Sequence, residues 1–365
     1  MRKIYFLLLL LPILFFIRCN KNNESIKPEN LIAFDNIENY SDTSFRINDI
    51  FQLGDSSYLL TGGVSISKEP FQNLIMKYDK SGKRIWINIK SHSDSPKGFS
   101  RVTIVNQNKY SAYRDKGFAY DPAPRIVDYD SKGKLIFQNF VNTSITMHGL
   151  TYVNGKYYLA GEKNKVMAFQ KLDPDGTSKW LKFYQYAPAA LSISQLSDSN
   201  FVCIGGGNSE NVGYYLLKLN NKGDTIWTKP YKGFVVQGLP DGDFLAISGT
   251  GQYIEYIRFD KNAEEKWKNQ FTDASPSSYE AGCFNILGYN SKYFMFTMLK
   301  DDGIFYLYEY DESGNPVNTL TVNDINPSIH IAITKTLDEG FIAVKSSIDT
   351  NPRDLELIKY SHVTP

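Results

Sequence analysis

One phrase recurs along this chain. An apolar-aromatic run ends in Asp or Asn, a short polar turn follows, and in most copies an aromatic residue comes four residues after a glycine in that turn. The copies begin 40 to 51 residues apart, with a mean of 47. Self-similarity at such a period indicates a solenoid, an array or a propeller. The copies are KYDKSGKRIW at Lys77, DYDSKGKLIF at Asp128, KLDPDGTSKW at Lys171, KLNNKGDTIW at Lys218, RFDKNAEEKW at Arg258, EYDESGNPVN at Glu309 and a truncated KYSHVTP at Lys359.

A second repeated element precedes each phrase: an apolar run, a polar turn, and an aromatic that opens another apolar run, as in FQLGDSSYLLTGG and KTLDEGFIAV. Together the two elements give each unit four short strands joined by hairpin turns. Four antiparallel strands of this length cannot bury both faces alone, so neighbouring units must stack sheet on sheet. The sequence therefore predicts an all-β fold, a seven-bladed β-propeller with four antiparallel strands per blade, over residues 30–365.

The last unit has no outer strand before the chain ends. The segment ENLIAFDNI, from Glu29 to Ile37, has the pattern of GKLIFQNF, from Gly133 to Phe140, and we expect it to supply this strand and close the last blade. In the other blades the turn glycines are predicted to adopt positive φ. We expect a large ring on each outer strand to pack between adjacent blades. These rings are Trp86, Phe137, Trp180, Trp227 and Trp267.

Two propeller families carry similar phrases. A YD followed by Trp, with paired glycines such as Gly62-Gly63 and Gly205-Gly206, resembles kelch blades, and YDKSGKRIW resembles the Trp-docking blades of quinoprotein propellers. These are blade-packing residues, so the resemblance implies the fold alone. The Asn-, Lys-, Ile- and Tyr-rich chain also resembles exported lipoproteins of Bacteroidetes-type bacteria.

The first residues have the pattern of an export signal. Arg2 and Lys3 precede an apolar run that is too short to span a bilayer, which predicts a signal peptide over residues 1–18. Cys19 then resembles the lipidated cysteine of bacterial lipoproteins, although Arg18 stands where those proteins carry a small residue. Residues 19–29 are polar and predict a flexible tether. We expect an exported, lipid-anchored protein of the cell envelope, on the outer membrane or the cell surface.

Charge and cysteine content limit the possible partners. Without Arg2, Lys3 and Arg18 the chain has 37 basic and 39 acidic residues, a formal charge of −2, which argues against a nucleic-acid partner. Cys203 and Cys283 lie in apolar stretches, so we expect buried thiols and no disulfide. No cofactor or metal is expected.

Catalytic motifs are missing from the sequence. The Asp-rich turns lack the remaining ligands of an EF-hand loop, and the four histidines have no metal-ligand spacing. The resemblance to quinoprotein enzymes would imply eight blades and an adjacent cysteine pair near the cofactor. This chain has seven repeated units and no adjacent cysteines. We therefore expect no enzyme; the alternative is an envelope hydrolase or lyase whose carboxylates converge from different blades.

A binding surface is the remaining interpretation. The position nine residues before the aromatic that opens the second strand is polar in four consecutive units. These residues are Asp49, Arg101, His148 and Ser192. They either bind a ligand at the central channel of the propeller or only solvate a water-filled channel. Long loops carry further aromatics, among them Tyr120, Tyr186 and Tyr279. The sequence predicts a binding or assembly module for an extracytoplasmic protein or glycan ligand.

Overall fold

The computed structural model describes residues 32–361, except 41, 68–71, 91–100, 107–108, 115–124, 141–144, 207–212, 250–253, 272–285, 290–291, 299–304, 323–328, 339 and 348–352. Within these residues every regular element is a β-strand. The described part contains no helix with the length and apolarity that crossing a membrane requires. The prediction of an all-β chain is confirmed.

Twenty-eight strands are described, and their alternation with Gly, Asp, Asn and Ser turns follows the sequence pattern. They are β1 (Ile32–Tyr40), β2 (Thr43–Gln52), β3 (Tyr58–Ile66), β4 (Gln72–Tyr78), β5 (Arg84–Lys90), β6 (Arg101–Asn106), β7 (Lys109–Arg114), β8 (Arg125–Asp130), β9 (Leu135–Phe140), β10 (Thr146–Val153), β11 (Lys156–Lys163), β12 (Val166–Leu172), β13 (Ser178–Tyr184), β14 (Ala189–Gln195), β15 (Phe201–Gly206), β16 (Tyr215–Leu219), β17 (Thr225–Pro230), β18 (Val235–Gly238), β19 (Phe244–Gly249), β20 (Ile254–Phe259), β21 (Glu265–Phe271), β22 (Ile286–Tyr289), β23 (Lys292–Met298), β24 (Phe305–Tyr310), β25 (Pro316–Val322), β26 (Ile329–Lys335), β27 (Phe341–Ser347) and β28 (Arg353–Tyr360).

The described strands form antiparallel sheets of four. Six sheets follow chain order, from β2-β3-β4-β5 to β22-β23-β24-β25. The remaining sheet has the order β1-β28-β27-β26, so the N-terminal strand β1 lies beside the last strand of the chain. We number the sheets one to seven from β2, and the sheet that contains β1 is sheet seven.

The apolar cores lie between sheets. In β3, Tyr58 and Leu60 face a cluster shared with sheet seven, whereas Leu59 between them faces a cluster shared with sheet two. Side chains of a strand alternate between its two faces, and here both faces are covered. This explains why β3 reads as an almost continuous apolar run. The described clusters join sheets seven and one, one and two, two and three, three and four, four and five, and five and six.

The first strands of neighbouring sheets contact one another around the molecule. These contacts run from β2 to β6, β10, β14, β18, β22 and β26, and β26 in turn contacts β2. The repeated unit of the sequence is therefore one sheet of a propeller-like stack.

A docking contact at the outer strands repeats from sheet to sheet. The Trp86 ring covers Gly133 in the turn of the next sheet, and its Nε1 donates to the Ser131 carbonyl at 3.3 Å. Asn88 donates to the Gly133 carbonyl at 2.8 Å. The turn glycine has φ of 77°, and an added Cβ would lie 2.7 Å from the indole, so no larger residue fits. Trp180 covers Gly223 and Trp267 covers Gly314 in the same way.

The N-terminal strand makes the same docking contact. The ring of Phe34 lies against Gly82 of sheet one, and Asn36 donates to the Ser81 carbonyl at 2.9 Å. Phe34 and Asn36 thus take the places of Trp86 and Asn88. Phe34 also packs against the core shared by sheets seven and one.

The Asp of the repeated phrase closes the turn between third and fourth strands. Asp79 Oδ1 accepts the backbone N–H of Ser81 at 2.8 Å and of Lys83 at 3.0 Å. Asn220 occupies this place in sheet four and accepts two N–H groups through its amide oxygen, both at 2.9 Å. This is the usual role of Asp and Asn in turns.

The residue before the YD pair also has a structural role. Lys77 pairs with Asp55 in the turn between the first two strands of its sheet, at 3.1 Å. In sheet two the charges are exchanged: the fully buried Asp128 stands in the third strand and pairs with Lys109 at 2.5 Å. In both sheets an ion pair thus joins the third strand to the region where the second strand begins, and the acidic and basic partners are exchanged between the two sheets.

Candidate ligand-binding face

The predicted inner-wall residues fall on the first strands of their sheets. Asp49 is half-buried on β2, and its Oδ1 accepts the backbone N–H of Ile50 at 3.1 Å. Arg101 is the first residue of β6. The strands β2, β6, β10 and β14 contact in sequence, so these positions lie on neighbouring first strands.

His148 is shifted relative to the other predicted wall residues. A bulge in β10 leaves His148 between the pairs Met147–Gly161 and Gly149–Ala160, and the side chain is exposed. In β2 the equivalent bulge leaves Asn48 unpaired, and Asp49 pairs with Thr61. His148 therefore corresponds to Asn48. The cause is a turn that is one residue shorter in sheet three than in sheet one. In sheet three Tyr152 pairs with Tyr157, five residues later, whereas in sheet one Gln52 pairs with Tyr58, six residues later.

Ser192 bonds to the next sheet. Its Oγ accepts the backbone N–H of Val236 on β18 at 3.2 Å, and Ser194 Oγ accepts that of Gly238 at 2.9 Å. These two hydroxyls attach the first strand of sheet four to that of sheet five. The observed contacts of Ser192 are thus between blades.

The sheet topology assigns connections to two faces. Strands alternate in direction, so the turns between second and third strands and the connections to the next sheet emerge at one edge, which we call the upper face. The turns between first and second and between third and fourth strands emerge at the lower face. Tyr186, which follows β13, therefore lies on the upper face beside sheet four.

A pair of tyrosines marks this part of the upper face. The Tyr186 side chain is 39% exposed, and its ring centroid lies 5.8 Å from that of Tyr215 at an interplanar angle of 48°. Tyr215 opens β16 and packs on the core shared by sheets three and four. One ring is thus fixed on a strand while its neighbour presents a face to solvent.

Tyr214 and Lys232 form a second contact on the upper face, between the connections of sheets four and five. Lys232 is exposed, and its Nζ lies 5.7 Å from the ring centroid of Tyr214, a cation–π arrangement. The Tyr231 backbone N–H donates to the Tyr214 carbonyl at 3.0 Å, which holds the two connections together. A Cβ on Gly206 would lie 2.1 Å from the Tyr214 ring, so this ring position requires glycine at 206.

The supports of this surface are rigid and uncharged. Tyr184, two residues before Tyr186, is buried and donates its hydroxyl to the Gly223 carbonyl. Burial raises the pKa of Tyr184 and of Tyr231, so both remain neutral phenols at physiological pH. The Met167 backbone N–H donates to the Ala187 carbonyl at 2.9 Å, which ties the connection to sheet three. We call Tyr186, Tyr214, Tyr215 and Lys232 the tyrosine face.

Sequence reasoning identified one of these four residues. Tyr186 was predicted, but Tyr214, Tyr215 and Lys232 were missed, although Tyr214 ends the longer connection between β15 and β16. The Tyr214-Tyr215 pair at the start of β16 was the available signal, because adjacent residues at a strand face opposite sides and the pair places one ring on each side of the sheet. Cys19, Tyr120, Tyr279 and Cys283 lie outside the described residues. Cys203 is buried and unpaired, as predicted.

In the part of the chain that the structure describes, no group of three or more His, Cys, Asp or Glu side chains could hold a metal ion. The buried network of Asp128, Ser111 and Tyr157 has distances of 2.5 and 2.6 Å around the serine hydroxyl, but it lies inside the joint between sheets two and three. The described upper face instead presents tyrosine rings and a lysine side chain.

Comparisons with known proteins give similarity of fold. No family model and no curated protein sequence matches the chain. The hydrazine synthase structure of Kuenenia stuttgartiensis superposes with a TM-score of 0.57 at 10% identity, over 86% of this chain and 95% of that one. A quinoprotein alcohol dehydrogenase-like protein of Bacteroides thetaiotaomicron gives 0.49 at 11% identity, over 77% of this chain and 66% of that one. The Pan2 WD40 domain of Neurospora crassa gives 0.49 at 11% identity, over 75% and 91%.

Proposed function

We propose that this chain is a seven-bladed β-propeller, closed by β1 and anchored in the cell envelope through Cys19. It acts as a binding or assembly module that holds an extracytoplasmic protein or glycan on its upper face and does not convert it chemically. Ring closure is supported by the contact of β26 with β2 and by the docking of Phe34 on Gly82.

The tyrosine face carries the binding proposal. Tyr186 and Tyr215 present ring surface on a rigid support, and Lys232 adds a positive charge beside Tyr214. Tyrosine combines a large apolar contact area with a hydroxyl at low conformational cost, which is why it dominates recognition surfaces. By contrast, the rings of the outer strands, such as Trp86 and Trp267, are used in docking contacts on lower-face turns of the next sheet.

The proposal is tested with the full chain, purified in detergent, on arrays that display oligosaccharides and peptides. We expect wild-type protein to bind a subset of features and Tyr186→Ala to lose at least tenfold in affinity. Leu337→Ala is the matched control, because Leu337 is 63% exposed in a lower-face turn. An absence of binding by wild type, or equal binding by Tyr186→Ala, would contradict the proposal.

The anchor is tested separately with a labelled fatty acid. Wild-type protein should incorporate the label in cells, and Cys19→Ala should not. Equal labelling of both proteins would show that Cys19 is not the lipidated residue.

A further inference from the structure

We infer that the tyrosine face binds an acidic polysaccharide, with sugar rings packed on the tyrosines and the carboxylate or sulfate groups paired with lysine. This inference rests on the proposed function and specifies its ligand.

The ring geometry favours a carbohydrate. Tyr186 and Tyr215 are inclined by 48° with centroids 5.8 Å apart, which offers a flat, exposed ring beside an anchored one and hydroxyls at the ring tips. A pyranose ring has C–H groups on its faces and hydroxyls on its edges, so it matches this combination of apolar area and hydrogen-bonding groups.

A protein partner fits this surface less well. Peptides add to unpaired strand edges or fill apolar grooves. Each described sheet has two unpaired edges, at its first and at its outer strand, whereas Tyr186, Tyr214 and Lys232 lie in connections and Tyr215 on a third strand. Several exposed aliphatic side chains also lie elsewhere: Ile85, Ile136 and Ile226 on outer strands and Leu337 in a lower-face turn.

The local charge favours an anion. Lys232 and Lys165 are exposed on the upper face, Lys232 before sheet five and Lys165 in sheet three. Lys165 lies two residues before Met167, whose backbone N–H donates to the carbonyl of Ala187, the neighbour of Tyr186. Among the described residues, the acidic side chains of this region are Glu162 and Glu255, and Glu255 is engaged by Ser248 at 3.1 Å and Lys268 at 3.7 Å. Glu210, in the connection before Tyr214, lies outside the described residues. A polyanion is therefore attracted to this face although residues 19–365 as a whole are slightly acidic.

The test uses four soluble polymers that separate rings from charge. Dextran has sugar rings without charge, carboxymethyl-dextran and dextran sulfate have both, and polyglutamate has charge without sugar rings. Affinity of the full chain for each is measured by retardation in native gels and by calorimetry. We expect binding to a charged dextran that weakens as salt rises from 0.05 to about 0.5 M, and the better of the two charged forms identifies the anionic group.

Variants assign the binding to this face. Tyr186→Ala should weaken binding of the charged dextran at least tenfold, Lys232→Gln by about fivefold, and Lys232→Arg and Leu337→Ala should bind as wild type does. Dextran bound as tightly as its charged forms, with loss in Tyr186→Ala, would overturn the inference while the proposed function stands. Polyglutamate bound as tightly as the charged dextrans would indicate an acidic peptide and also overturn it. No binding of either charged dextran overturns the inference, and binding that Tyr186→Ala leaves intact overturns both proposals.

Discussion

The outer strands and the inner strands of this molecule use their residues differently. At the outer strands one contact repeats, an aromatic ring on the turn glycine of the next sheet, from Phe34 through Trp86 to Trp267. At the inner strands the equivalent bulges hold Asn48, His148 and Leu191, which share no chemistry. Four of the described joints between sheets make this contact, which restricts the residues there to a large ring and a glycine, whereas the bulge positions carry different residues. Repetition therefore identifies scaffold, and departures from it are where function should be sought.

The largest effect is expected from removing the N-terminal strand. Deleting residues 30–38 while keeping the tether exposes the edge of β28 and takes Phe34 away from the core it shares with Tyr58, whose ring centroid lies 6.2 Å away. We expect aggregation or a fall in melting temperature of more than about 10 °C. Deleting residues 21–28 instead should leave the melting temperature unchanged. A truncated chain that melts like the intact one would show that β1 is dispensable.

A smaller loss should follow from breaking one docking contact between two neighbouring sheets. Trp267→Ala removes the ring that covers Gly314 and the bond from Nε1 to the Glu312 carbonyl at 2.9 Å. We expect the free energy of unfolding in urea to fall by about 2–3 kcal/mol. Ile226→Ala, at an exposed position of an outer strand, should change it by less than about 0.5 kcal/mol. Equal effects of the two substitutions would mean that the docking contact contributes nothing beyond surface area.

The sequence predicted the scaffold well because its residues repeat. The positive φ of Gly82, Gly133 and Gly314 and the position of Trp86 on an outer strand followed from spacing alone, and the structure confirms them. The site was harder. Counting back from the second strand placed His148 with Asp49, but the turn of sheet three is shorter by one residue, which shifts the register. The Asn154-Gly155 pair, with φ of 47° and 76°, was the available signal of this two-residue turn. The hydrogen bonds of Ser192 and the Tyr186–Tyr215 contact join residues from separate strands, which no spacing rule encodes.

A still smaller effect is expected at the turn carboxylates. Hydrogen bonding from the Ser81 hydroxyl and backbone N–H groups lowers the pKa of Asp79. Since this pKa is lower in the folded state, its stabilisation is present above the unfolded pKa of about 3.9 and is lost as the pH falls through the folded value. Asp79→Ala should cost about 0.5–1 kcal/mol at pH 7 in thermal or urea unfolding.

Asp79→Asn is the matched control, because Asn220 performs the same role in sheet four. It should be nearly neutral at pH 7 and should lose less stability than wild type between pH 5 and about 3. An Asn variant that is as acid-sensitive as wild type would show that this carboxylate does not contribute to acid unfolding.

The smallest effect on stability is expected at the tyrosine face. Tyr186→Ala should change the free energy of unfolding by less than about 0.5 kcal/mol, since its ring lies on the surface of Tyr215 and outside the core. Thermal melts measured beside the binding experiments check this. A loss as large as that of Trp267→Ala would place Tyr186 in the scaffold.

The joining of the two ends of the chain is tested most directly by a disulfide across them. Ile37 of β1 stands opposite Glu356 of β28, and opposed residues in antiparallel strands have Cα atoms about 4.5–5.5 Å apart, within reach of a disulfide. The Ile37→Cys/Glu356→Cys variant should cross-link nearly completely under mild oxidation, as read by mass spectrometry of peptides. Ile37→Cys/Asp354→Cys, which pairs with a position two residues away, should cross-link poorly. Equal cross-linking of both pairs, or none in either, would contradict closure of the ring by the N-terminal strand.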